Sequence, residues 1–168
     1  MRKNDKNKLF QISLIALTAA IYVALCYILQ PISFGPIQFR FSEMLSLLAI
    51  DFRWAFLGVC IGCFLANTFF GGLGIIDMIF GTSATVIGCT LAYLFRNRRF
   101  KGYPILSVFM IILANALIVG TELGIILKTQ NLIPLYMLEV GIGEAVVLFI
   151  GLPVYKKLAK LIASRFHS

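Results

Sequence analysis

"DFRW", residues 51–54, interrupts the longest apolar region of the chain. That region covers residues 39–70, too long for one membrane-crossing helix of about 20 residues. Two opposite charges flanked by aromatic rings give a helix a place to end at a membrane surface. The region therefore reads as two short helices, 38–50 and 54–70. This decision sets the helix count, and with it the side of the membrane on which every later loop falls.

Outward from the break, four more apolar stretches are long enough to span a bilayer: 9–29, 75–95, 104–127 and 133–156. The expected fold is an all-α integral membrane protein, a single domain over residues 1–168. It is a six-transmembrane-helix bundle with tails 1–8 and 157–168 in the cytoplasm. Composition agrees, with 60% hydrophobic and 13% charged residues and a mean hydropathy of +0.95. A soluble domain carries about a quarter charged residues. Period-2 alternation is absent, which argues against a barrel. "MRKNDKNK" (1–8) is followed by an apolar run longer than a signal-peptide core, and no A-x-A site ends it. It is kept as the approach to the first membrane helix.

Charge supports the even count. With six alternating helices and the N-terminus inside, only Arg40 and Lys128 of the 15 Lys and Arg lie outside. The net charge of +8 thus reads as membrane orientation, not as nucleic-acid binding. Without the break, the later loops would swap sides and the asymmetry would collapse. Trp54, Tyr93, Tyr103 and Tyr155 fall near the inner boundary, where amphipathic rings settle.

Five of the seven acids, Glu43, Asp77, Glu122, Glu139 and Glu144, map to the outer half of the bundle. At 1.5 Å per residue, Glu122 and Glu139 lie about 9 Å deep and Glu144 roughly 16 Å deep. Asn115 precedes Glu122 by nearly two turns and shares its face, and Asn67 sits near the outer end of its helix. Isolated buried carboxylates are costly, and inside membrane proteins they mark function. The pattern predicts an outward-facing acidic pocket for a ligand rich in N–H donors or carrying positive charge. Phe34, Phe39, Phe69, Phe70 and Tyr136 are available to stack on a flat ring. Plainer readings stand beside these. Glu43 can pair with Arg40 one turn away, Asp77 can cap its helix, and Asn67 and Asn115 can join helices. Glu122, Glu139 and Glu144 are too deep for capping to explain them all. The inner half holds no acid, so no proton relay runs from face to face. A binding cup fits better than a channel or pump.

Small residues recur at four-residue spacing in three helices: Ala16, Ala20 and Ala24; Gly58, Gly62 and Ala66; Gly81, Ala84, Gly88 and Ala92. Such stripes let backbones approach closely. The first lies on a helix with little polar chemistry of its own, and is the candidate face for an external partner. Cys60-x-x-Cys63 has no second pair and no neighbouring histidine, so it reads as small packing residues. His167 is the only histidine, and no metal site of ordinary type is expected. Phosphate-loop, HExxH and G-x-S-x-G patterns are absent. Neither catalysis nor a bound cofactor is expected of the chain itself.

"IQFRFSE" (37–43), "GVCIGCFLAN" (58–67) and "GGLGIIDMIFG" (71–81) together resemble the QueT family. These are the substrate-binding S-components of energy-coupling factor (ECF) transporters assigned to queuosine precursors. The resemblance is strongest over residues 37–88 and extends through all six helices, including Glu122 and Glu144. "DFRW" departs from the more apolar turn of the family. The resemblance implies a six-helix S-component in a bacterial cell membrane that takes a 7-deazaguanine base from outside. It further implies a shared transmembrane coupling subunit and two cytoplasmic ATPases, which use the ATP. Ala16, Ala20 and Ala24 would dock on the coupling subunit, and the chain would reorient during turnover. Two of Glu43, Asp77, Glu122, Glu139 and Glu144 are expected to contact the ligand directly, with Asn67 and Asn115 orienting it and Tyr136 available beside it, while Arg40 holds the first loop and Glu43 in place. The alternatives are a stand-alone secondary transporter for a cationic or nucleobase-like molecule, and a subunit of an assembly that transports nothing.

Overall fold

In the computed structural model of the chain, which describes residues 3–33 and 39–167, helix stops at Ala49 and restarts at Arg53. Phe52 is extended between the two. Asp51 fixes the break. One carboxylate oxygen receives Arg99 Nη2 and the other the Tyr155 hydroxyl, each at 2.5 Å. Arg99 Nη1 also donates to the Tyr155 oxygen at 3.2 Å. Three distant parts of the chain thus meet at the stretch that divides the apolar region.

In chain order the helices are α1 (Lys3–Ile28), α2 (Gln30–Ser33), a 3-10 turn over Phe41–Leu45 that runs into α3 (Ser46–Ala49), α4 (Arg53–Phe70), α5 (Ile75–Leu94), α6 (Ile105–Ile126) and α7 (Ile133–His167). Among the described residues there is no sheet, only an isolated bridge between Phe100 and Tyr103. Among the described residues, five helices are long and apolar enough to cross a membrane. The expected helix over 38–50 differs most. It is shorter, about half a bilayer in length, and its first five residues wind as 3-10 helix. The reason is its surroundings. Ser42, Glu43, Ser46, Leu47, Leu48 and Ala49 are buried and Phe41, Met44 and Leu45 half-buried, so most of its surface packs against protein.

The terminal helices are longer than expected. α1 begins at Lys3 and α7 continues through the basic tail to His167, with Pro153 inside it. The extension of α7 has something to pack on: Leu158 and Ile162 join one core cluster with Leu14, Leu47, Leu48, Val108, Ile111 and Leu148.

Glycines set the helix directions. A Cβ on Gly58 would sit 2.7 Å from the Ile15 carbonyl, and one on Gly62 would sit 2.7 Å from Tyr22 Cβ. The two numbers rise together, so α1 and α4 run parallel. The chain must therefore reverse between them, and Phe41–Ala49 lies on that return. The remaining neighbours are antiparallel. Cys63 faces Thr85, Ser107 donates to the Ala92 carbonyl, and Gly120 abuts Met137 while Gly124 abuts Ile133. The long helices pack in the order α1–α4–α5–α6–α7, and the 3-10 turn with α3 touches α1, α4 and α7. That short segment fills the centre of the bundle and carries Glu43 into it.

Candidate functional site

Arg40, Glu43, Asn67, Asp77, Asn115, Glu122 and Glu144 are each no more than 3% exposed. They come from the central 3-10 turn and its approach, α4, α5, α6 and α7. An apolar bundle has thus gathered four of its seven acids inward, on the side of the molecule away from Asp51 and Arg99.

Glu43 is the best-satisfied acid. Its Oε1 accepts from the Tyr22 hydroxyl at 2.5 Å and from Thr85 Oγ1 at 3.1 Å, and its Oε2 accepts from Ser46 Oγ at 2.6 Å. The pattern extends sideways. Cys63 Sγ lies 3.2 Å from Thr85 Oγ1, Asn67 Nδ2 donates to Cys63 Sγ at 3.4 Å, and Cys26 Sγ lies 3.1 Å from Ser42 Oγ. Cys63 is therefore a weak polar link, and it and Cys60 are both free thiols.

Arg40 reaches across to Asp77, with Nη2 3.8 Å from Oδ1. Glu43 itself is held by the three hydroxyls. Asp77 Oδ2 also accepts the Leu73 N–H at 3.2 Å, which pins the turn before α5. Gly81, one turn further on, leaves room for its neighbours. A Cβ there would lie 2.6 Å from Asn67 Nδ2 and 3.4 Å from Arg40 Nη1. Asn115 Nδ2 donates to the Ile111 carbonyl of its own helix at 3.2 Å.

Glu122 and Glu144 differ from Glu43 and Asp77. Neither oxygen of Glu122 receives a hydrogen bond, and Glu144 Oε2 receives none. With Glu43 and Asp77 they make four buried carboxylates, of which Asp77 is paired with Arg40.

Glu139 does not belong to this group. It is half-buried, and five residues place it about 140° around α7 from Glu144. Tyr136 is half-buried too, and its hydroxyl lies 3.1 Å from Thr129 Oγ1, tying the start of α7 to the preceding turn. Of the candidate stacking rings, Phe34 lies outside the described residues. Phe69 is exposed, and Phe70 packs on Tyr27 with centroids 5.5 Å apart. Phe39 closes the base of the first loop through its N–H to the Ile32 carbonyl at 3.1 Å.

The sequence reading missed Tyr22, Ser46 and Thr85. Its description of α1 as poor in polar chemistry fails at Tyr22, which is buried and bonded to Glu43. A signal was available in the spacing. Ala19, Tyr22 and Cys26 share one face, the face that Gly62 meets.

Ala16, Ala20 and Ala24 are all exposed. With Ala19, Val23, Leu65 and Phe70 they line a shallow groove of about 550 Å³ between α1 and α4. The Gly58, Gly62 and Ala66 stripe is internal, facing α1.

Comparison with known proteins adds a family. A model described as QueT transporter matches residues 12–160. The chain is 32% identical over 167 residues to a protein of Lactococcus lactis subsp. cremoris (strain MG1363) named queuosine precursor transporter QueT, covering 92% of this chain and 95% of that one. No solved structure matches it significantly.

Proposed function

The chain belongs to the QueT transporter family, and from that premise we propose that it is the substrate-binding membrane subunit of an ECF-type importer of queuosine precursors. It captures a 7-deazaguanine base from outside the cell in the acidic cluster around Arg40. Partner subunits, a transmembrane coupling protein and two ATPases, then drive uptake with ATP. The observation that carries this reading is the buried cluster itself. Four carboxylates and one arginine in an apolar bundle cost stability, and a transported ligand rich in N–H donors gives them a purpose.

The proposed topology has six crossings with both termini in the cytoplasm. The parallel run of α1 and α4 supports it, because an odd number of crossings must lie between them. So does the charge asymmetry, since this orientation in a bacterial cell membrane puts Arg99 and the basic end of α7 on the cytoplasmic side, with Asp51 beside them. The exposed Ala16, Ala20 and Ala24 face, with its shallow groove, supplies a surface on which the coupling subunit can seat. The chain is a carrier and not an enzyme, and it binds no cofactor of its own.

Uptake of radiolabelled precursor into vesicles tests this. Accumulation should require the coupling subunit and ATPases together with this chain. Accumulation by this chain alone would favour a stand-alone secondary transporter instead.

A further inference from the structure

The four carboxylates around Arg40 divide into two pairs. Glu43 accepts three hydroxyl donors, and Asp77 is held by Arg40 and the Leu73 N–H. Glu122 and Glu144 are equally buried, yet both Glu122 oxygens and Glu144 Oε2 receive no donor. A buried carboxylate without donors is costly to keep, and an apolar or amide side chain of similar size would be cheaper. Packing therefore gives no reason for carboxylates at these two positions. They sit on adjacent, tightly packed helices, α6 and α7.

We infer that Glu122 and Glu144 are the acceptors that read the ligand, one taking the N–H edge of the base and the other a cationic substituent, while Glu43 and Asp77 hold the shape of the site. This assignment rests on the functional reading above. A guanine-like edge offers a ring N–H beside an exocyclic amine, and one carboxylate accepts both side by side. An aminomethyl group carries a positive charge and three further donors, which suit a second carboxylate. A cyano group in its place is neutral and only accepts, so it leaves that carboxylate without a donor. Sites built this way discriminate strongly against the analogue that lacks the donor. The chain should therefore select the aminomethyl form of the base over the cyano form.

Calorimetric titration of the purified full chain with the aminomethyl and cyano 7-deazaguanine bases tests this, alongside thermal unfolding without ligand. The wild type should prefer the aminomethyl base at least tenfold. Glu122→Gln and Glu144→Gln should each weaken that binding at least tenfold, while the ligand-free unfolding temperature stays level or rises. Affinity within twofold of wild type in both variants overturns the assignment. So does a ligand-free unfolding temperature that falls by several degrees in both, which would mark the two acids as structural. Equal affinity of the wild type for the two bases overturns the selectivity. A wild-type chain that binds neither base overturns the functional reading, and the assignment with it.

Discussion

The hydroxyl of Tyr22 donates to Glu43 Oε1 at 2.5 Å, joining α1 to the short helical segment at the centre of the bundle. Both residues are no more than 1% exposed, so neither has water to fall back on. Tyr22→Phe removes one donor from a buried carboxylate and leaves its ring in place. It should cost about 1–3 kcal/mol of stability, read as a lower unfolding temperature in detergent. An unchanged unfolding temperature would mean that Ser46 and Thr85 satisfy Glu43 without help.

The knot of Asp51, Arg99 and Tyr155 is wetter. Its ion-pair side chains are 34% and 24% exposed. Partial burial works against the charge on Arg99, but hydrogen bonds with Tyr155 and Asp51 hold its pKa above the usual value. The guanidinium stays charged across the working range. Arg99→Ala should therefore cost only roughly 0.2–1 kcal/mol, less than Tyr22→Phe, in paired unfolding measurements. The reverse order would mean that the break at residues 51–54 matters more to stability than the central network.

The break was legible because opposite charges stood inside an apolar run. The length of the helical segment before it was not. Apolar composition looks the same whether a segment faces lipid or protein, so Leu47, Leu48 and Ile50 gave no sign that they form protein core. The acids of the candidate site were legible for the same reason as the break. Their partners were not, because a tyrosine, a serine and a threonine in an apolar chain are ordinary residues until the fold aims them at Glu43. Arg40 and Glu43 looked like partners because they are one turn apart, yet the fold gives Arg40 an acid from α5.

The two small-residue faces near α1 should respond in opposite ways. Gly62→Ala adds a Cβ 2.7 Å from Tyr22 Cβ and 3.1 Å from Ala19 Cα, neither at the far end of a flexible side chain. It should destabilise the chain by about 1–3 kcal/mol. Ala20→Leu projects from the exposed face and should leave the unfolding temperature and ligand affinity unchanged. It should instead reduce copurification with the coupling subunit and ATP-driven uptake. Full uptake in Ala20→Leu would place the docking face elsewhere.

Glu139→Gln separates the cluster from its surroundings. Glu139 is half-buried and turned away from Glu144, so precursor affinity in this variant should stay within twofold of wild type by calorimetry. A tenfold loss would bring Glu139 into the site.

The central claim is that this chain alone captures a queuosine precursor. Thermal unfolding of the purified chain against purines, 7-deazaguanine bases and vitamins tests it most directly. Stabilisation should appear with a 7-deazaguanine base and grow with its concentration, reaching about 2.7 kcal/mol at 100 times the dissociation constant. No shift with any 7-deazaguanine base, or an equal shift with every compound in the panel, would contradict it.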